Sequence, residues 1–298
     1  MQQHRPIIQL PRQFDGQSLS KVAADLMKIS PHGLPPEIEF DFSNLGFARP
    51  AGVVFLSNLV QWLQQKGTQV HFTNIAKETA SLRFLDDSLF FEQHCGQKVR
   101  ATASPRSTTQ PLMRIAHKDS HAWLQTNLVP WLAERISITE ASLYPFKVCI
   151  SELFNNIKDH TVFDIGSIFA QHFPNERQVM ISISDFGQGI PEKVREKVLG
   201  LSDSQAIVQA VQEGFTSKST PGNQGVGLDY LLKTVVVANQ GIVTICSSNA
   251  IVRFWRKGTN AGSIVLSNVG FCPGTTIDIV LRTDRIAILP DEPEDLQW

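Results

Sequence analysis

"VMISISDFGQGI", residues 179 to 190, sets Val179, Ile181 and Ile183 on one side of an extended chain and breaks after Asp185 with Gly187 and Gly189. Alternation with a period of two marks a half-buried strand, and the paired glycines mark a turn. Just upstream, "GSIFAQHFPNERQ" supplies the other arm of a hairpin, turning near Pro174 and Asn175. Two helices come before it, "SHAWLQTNLVPWLAERI" and "SLYPFKVCISELFNNIKDHT", and one follows around "PEKVREKVLG". The chain then runs through "GIVTICSSNAIVRFWRKG", "GSIVLSNV" and "GTTIDIVLRT", all strand-like. Helices followed by an antiparallel set of strands predict α+β layers.

The first hundred residues read differently. "SLSKVAADLMKI" has helical spacing through Leu19, Val22, Ala23, Leu26 and Ile29, and "EIEFDFSNL" alternates Ile38, Phe40 and Phe42. "PAGVVFLSNLVQWLQQKG" is a second helix ending at Gly67, followed by the strand "TQVHFTNI". Strand and helix in alternation predict an α/β unit with a largely parallel sheet. Between the halves, residues 99 to 112, "VRATASPRSTTQPL", lose the apolar period and read as a linker. Residues 35 to 95, from "FDFSNLGF" through the helix beginning near Pro50 to "GTQVHFTN" and "AKETASLRFL", resemble a STAS domain, the anti-sigma-factor-antagonist module. Phosphorylatable members of that family carry a hydroxyl where this chain has Arg49-Pro50-Ala51-Gly52. The resemblance therefore implies a docking or regulatory surface and not a phosphoacceptor.

Composition bounds the rest. With 298 residues, 42% hydrophobic and 18% charged, the chain has the size and make-up of two globular domains. A formal charge of −1 and the lack of a dense Lys/Arg cluster give no pull toward nucleic acid or an anionic membrane. The longest apolar stretch, Val53 to Leu63, is interrupted by Ser57, Asn58 and Gln61 and is too short to span a bilayer. The N-terminal "MQQHRPIIQLPRQF" lacks the apolar core of a signal peptide, so a soluble cytoplasmic protein is expected. Cys95, Cys149, Cys246 and Cys272 are scattered and read as free thiols, without a disulfide frame or a zinc knuckle.

Four places carry chemistry. On "CISELFNNIKDHT", Glu152, Asn156, Asp159 and His160 share one helix face while Ile150, Leu153, Phe154 and Ile157 take the other. Alone, that stripe is a solvated face or a site in which Glu152 accepts a proton and Asn156 offers Mg²⁺ a neutral oxygen. Asp185, at a strand end among glycines, is either a turn residue or an acceptor for an exocyclic amine, with Gly187 and Gly189 admitting a flat ring. "GFTSKSTPGNQGVGLDYLL", residues 214 to 232, fails as a Walker loop because Ser217 precedes Lys218, and as a Rossmann turn because no third glycine follows Gly225 and Gly227. It remains a Gly-rich segment feeding a helix start, where free N–H groups favour an anion. Thr275 and Thr276 enter the last strand, which β-propensity alone explains.

In order, E-x-x-x-N, D-x-G-x-G, a Gly-rich segment ending G-x-G-L, and G-T entering a strand resemble the GHKL ATPase superfamily (gyrase, heat-shock chaperone, histidine kinase, mismatch repair), over residues 112 to 285. The resemblance implies a two-layer α/β sandwich of the Bergerat type. It also implies ATP and Mg²⁺ as cofactors, with Glu152 as general base, Asn156 on Mg²⁺ and Asp185 on the adenine amino group. Gly187 and Gly189 would lie against the base, with Thr275 or Thr276 beside Asp185. Lys218, Gly225, Val226, Gly227 and Leu228 would belong to a lid over the phosphates. His117 lacks a phosphoacceptor pattern and reads as a surface residue. Glu152, Asn156 and His160 at intervals of four look like the box of anti-sigma-factor serine kinases.

The expected organisation is a STAS-like domain (1–100), a linker (101–111), an ATP-binding domain (112–286) and an acidic tail (287–298) that reads as frayed. An ATPase or ATP-gated switch, a protein serine/threonine kinase and a non-catalytic ATP-binding module all fit, with Glu152 weighing against the last. A protein partner, met through the STAS-like domain or the lid, is implied, and a homodimer stays open.

Overall fold

A computed structural model describes residues 5–29, 33–160, 165–185, 187–215, 227–267 and 270–289. The N-terminal unit contains β1 (Ile7–Gln9), β2 (Gln13–Phe14), α1 (Leu19–Ile29), β3 (Glu37–Asp41), β4 (Phe47–Ala48), α2 (Pro50–Gln65), β5 (Gln69–Thr73), α3 (Ala80–Asp87) and α4 (Phe90–Cys95). Strands β1, β3 and β5 form a parallel sheet with β3 central, and β2 pairs in parallel with β4. The parallel α/β expectation holds, with β1 added to it.

The C-terminal unit opens with β6 (Thr109–Ala116), whose first three residues lie inside the expected linker. Pro111 explains the misreading: β6 is an edge strand, and its register with the next strand shifts between Gln110 and Met113, where a missing N–H is tolerated. Next come α5 (His117–Trp123), a π-helical turn (Leu124–Leu128), α6 (Val129–Ile136) and α7 (Tyr144–His160), then β7 (Ile165–Phe173) and β8 (Gln178–Ser184). α8 (Ile190–Arg195) and α9 (Asp203–Ala210) follow. α10 (Leu228–Leu231) continues into a π-helical stretch (Leu232–Ala238), and β9 (Ile242–Ser248), β10 (Ala250–Lys257), β11 (Asn260–Ser267) and β12 (Cys272–Arg282) complete the unit. The seven strands are antiparallel throughout, in the order β11-β10-β9-β12-β8-β7-β6. The molecule is therefore mixed α/β.

Alternation assigns the two faces of this sheet. Ile168, Ile181, Ile183, Ile245, Ile277 and Ile279 join Phe154, Leu231 and Val235 in a core beneath the C-terminal helices. The opposite face is covered by the N-terminal unit: Leu112, Phe169, Cys246, Ile251 and Cys272 share one core with Phe14, Phe40, Phe55 and Leu59. Helix α2 does the covering, packing on β7, β8 and β12 while its other side meets β5 and α1. It is buried from Pro50 to Gln61, as expected of a helix enclosed on all sides. The second layer expected of a two-layer sandwich thus has a third laid over it.

Two further expectations change. Cys246 and Cys272 are not free: neighbouring strands β9 and β12 bring them together as a disulfide, while Cys95 and Cys149 are free. The tail is held at its start, where Leu289 N–H donates to Ser142 Oγ (2.8 Å) and Thr139 Oγ1 donates to the Leu289 carbonyl (2.9 Å). Residues 290–298 lie outside the described residues. No helix among the described residues is long and apolar enough to cross a membrane.

Candidate functional site

The site is built around the end of β8. The last core-facing residue of the strand is Ile183, Ser184 turns to the N-terminal unit, and Asp185 returns to the helical side. Its backbone N–H donates to the Thr275 carbonyl (2.9 Å) and its Oδ1 accepts from Gly187 N–H (2.6 Å). The residue keeps limited solvent access. Burial pushes its carboxyl up to about 6, against the opposing pull of the bonds from Gly187 and Thr275.

Glycines make this floor flat. At Gly274, φ is +63° and a Cβ would stand 2.1 Å from the Asp185 carbonyl oxygen and 2.8 Å from its Oδ1. At Gly189, φ is +87° and a Cβ would stand 2.8 Å from Ser247 Oγ. Only glycine fits both the handedness and the space. Ser247 ties the pieces together: its hydroxyl accepts from Ile190 N–H (3.0 Å), donates to the Gly274 carbonyl (2.9 Å) and lies 3.1 Å from Thr275 Oγ1. Thr275 therefore stands with Asp185. Thr276 does not: it pairs across the sheet with Ser184 and Cys246 on the opposite face, and its hydroxyl has no partner among the described residues.

Helix α7 reaches the same corner. Gly166 on β7 lets it approach, since a Cβ there would stand 2.5 Å from Ile157 Cδ1 and 3.6 Å from the Ser184 carbonyl oxygen. Ile150, Leu153, Phe154 and Ile157 are buried, and Glu152 and Asn156 are half-buried, as the helical period requires. Glu152 Oε1 accepts from Asn155 Nδ2 (3.1 Å), and Asn155 Oδ1 lies 2.9 Å from His117 Nε2. His117 is thus partly exposed and engaged with Asn155. The side chains of Asp159 and His160 lie outside the described residues, as do Lys218, Gly225 and Val226. Phe215 and Leu228, which flank the undescribed segment 216–226, both pack on the small cluster of Val194, Ala206 and Ala210. Gly227 caps α10, its carbonyl accepting from Tyr230 N–H (3.1 Å).

Sequence reasoning missed Ser247, Gly274 as a backbone contact, Asn155, and Asn58 of α2. Asn58 Nδ2 donates to the Asp185 carbonyl (3.0 Å) and to the Pro273 carbonyl (2.9 Å). One signal was present, since Asn58 is among the polar residues that interrupt an otherwise apolar helix. Ser247 and Gly274 depend on contacts between distant strands, and Asn155 on the packing of α5 against α7.

No protein-family model matches this chain, and no curated protein matches its sequence.

Proposed function

We propose that the chain is a cytoplasmic Mg-ATP-binding regulatory protein of the GHKL class, which hydrolyses ATP or uses it to gate contact with a protein partner. One observation carries this reading: a largely buried carboxylate, Asp185, accepts from Gly187 N–H and has the backbone of Gly274 packed closely against it, while Gly189 packs on the neighbouring Ser247. Asp185 can accept an amino group edge-on, and Gly187 beside it places no side chain in the way of a planar ring. The residues present fit an adenine nucleotide on that ground.

In this reading Asp185 accepts a hydrogen bond from the adenine amino group, and Thr275, tied to Ser247, lines the same wall. Mg²⁺ would neutralise the phosphates. The ion would arrive with the triphosphate, and Asn156 would offer it one protein oxygen. Glu152 orients the attacking hydroxyl or water and receives its proton, and the bond from Asn155 fixes the rotamer of its carboxylate. A positioned base of this kind contributes about 10²–10⁴ in rate. Lys218, Gly225, Val226, Gly227 and Leu228 complete the reading as the lid.

The test is a single-turnover incubation of the purified full chain with Mg-ATP and lysate proteins, comparing wild type with Glu152→Ala by mass spectrometry. Free phosphate that depends on Glu152, with no modified protein, identifies an ATPase switch. Phosphate on a protein hydroxyl, with the same dependence, identifies a serine/threonine kinase. ATP bound equally well by Asp185→Asn and wild type sinks the reading.

A further inference from the structure

We propose that Asn58 of α2 is a positioning residue for the Asp185 floor, so that the seating of the N-terminal unit sets the affinity of the site for its planar ligand. The proposal extends the nucleotide reading of that floor and rests on it for the identity of the ligand.

The geometry is specific. Asn58 is fully buried, and its amide spans two carbonyls of the other unit, one just past the end of β8 and one in β12. The Asp185 carbonyl belongs to the segment that leaves β8, and the Pro273 carbonyl precedes Gly274 in β12. These two segments also meet directly, at Asp185 N–H to the Thr275 carbonyl and at the close approach of Gly274. Asn58 therefore clamps from below the junction that carries the candidate carboxylate above. Two acceptor carbonyls fix which end of the amide faces them, and Asn58 Oδ1 has no partner among the described residues. Its donors therefore account for its placement. A mere packing role would be filled by Leu, as it is one position on at the buried Leu59.

Flanking contacts tie the same stretch to the N-terminal unit. Trp62, one turn further along α2, packs on Phe271 with ring centroids 5.2 Å apart. Gly270 meets the backbone of α1, where a Cβ would stand 2.6 Å from Ala24 N. The segment from Gly270 to Gly274 is thus held by α1 and α2 on one side and forms the site on the other. A partner that shifts the N-terminal unit would move the Asp185 floor with it.

The test uses the full chain in four forms: wild type, Asn58→Leu, Asn58→Ser and Val54→Ala. The last opens a cavity one turn earlier on the same face of α2 without touching the amide, and controls for general destabilisation. Asn58→Ser retains a shorter donor and serves if Asn58→Leu does not fold. Two quantities are read: hydrogen exchange at residues 183–189 and the Kd of a fluorescent ATP analogue with Mg²⁺. The expected result is exchange faster, and binding weaker, by about tenfold in the Asn58 variant, with Val54→Ala near wild type in both. Equal exchange in the Asn58 and Val54 variants overturns the positioning role, whatever the nucleotide does. Faster exchange in the Asn58 variant alone, in a protein whose wild type binds no ATP analogue, keeps the positioning role and removes the nucleotide reading.

Discussion

Two buried carboxylates, Asp185 and Asp278, are each pushed up to about 6 by burial, and they stand on opposite faces of the same sheet. Asp185 has glycines around it and keeps limited solvent access. We expect Asp185→Asn to weaken ATP binding by about 1–3 kcal/mol, because the amide presents a donor where an acceptor is needed. Wild-type affinity should also fall as pH drops below about 6, where Asp185 becomes protonated, while the Asn variant should lose this component of the pH dependence; titration calorimetry at pH 5.5 and 7.5 checks both. Asp278 is partly exposed as well, but no glycine turn follows it. Its Oδ1 accepts from Ser182 Oγ (2.5 Å), and Arg253 lowers its pKa only in part. Because its folded pKa lies above the ordinary carboxylate value, the native state holds an extra proton between about pH 4 and 6, and stability falls as pH rises through that window. Asp278→Asn should therefore raise stability at pH 7.5 by about 1–2 kcal/mol and flatten part of that fall, with Asp185 keeping its own share. Urea unfolding at pH 4.5 and 7.5 measures it. Only one of the two acids was legible. Asp185 announces itself by its glycines, whereas Asp278 sits at the polar position of an alternating strand, "TTIDIVLRT", and reads as solvent-facing. It is buried because a unit more than two hundred residues upstream covers it, with Gly16 close by.

At the scale of elements, local pattern carried most of the strands and helices, because period and turn residues are written side by side. The failures have local reasons. Helix α9 was overlooked although Ser202 and Gln205 form a complete capping box, because only two turns of apolar residues follow. Strand β6 was hidden by Pro111. Helix α2 was legible as a helix but not as one buried on every side, since Ser57, Asn58 and Gln61 read as polar surface. In the fold Ser57 Oγ meets His94 Nε2 (2.9 Å), and Gln61, with its amide oxygen turned to Arg114, accepts from that guanidinium at 2.9 Å. The junction of β8 and β12 offers a matched test. Gly274 and Gly258 share a left-handed backbone, at φ +63° and +65°, but a Cβ at Gly258 meets nothing within 4 Å. Gly258→Ala should cost about 1 kcal/mol, from backbone strain alone. Gly274→Ala adds the clash with the Asp185 carbonyl and should cost roughly 2–4 kcal/mol, and it should abolish ATP binding as well. Thermal melts and the fluorescent-nucleotide titration check the pair; equal losses in both variants would show that the close approach does not shape the site.

At the scale of the molecule, the composition shift after Val99 suggested two units that each complete their own core. The structure joins them instead. Phe169, Cys246, Ile251 and Cys272 from the seven-stranded sheet are buried in the same cluster as Phe40, Phe55 and Leu59. Arg49 adds a polar tie at the rim, pairing with Glu176 at 3.2 Å and lying over the Phe173 ring at 4.9 Å. None of this is written locally, because each contact joins residues about a hundred or more positions apart. A shared core has a thermodynamic consequence: neither unit can lose its structure without exposing the apolar face of the other, so unfolding should be a single cooperative event. The tryptophans report on both units, Trp62 in α2 and Trp123, Trp131 and Trp255 beyond it. We expect urea curves from tryptophan fluorescence and from far-UV circular dichroism to coincide, with a midpoint that Phe55→Ala and Phe169→Ala, one substitution in each unit, both lower without splitting the transition. Each should cost about 3–5 kcal/mol, the usual loss for a buried Phe. A chain beginning at residue 105 would lack α2 and expose Phe169, Ile251 and Leu112 to water, and it should be recovered as aggregate. A soluble, cooperatively folded fragment would mean that the sheet completes itself, and the N-terminal unit would then be a detachable neighbour and not a layer of the fold.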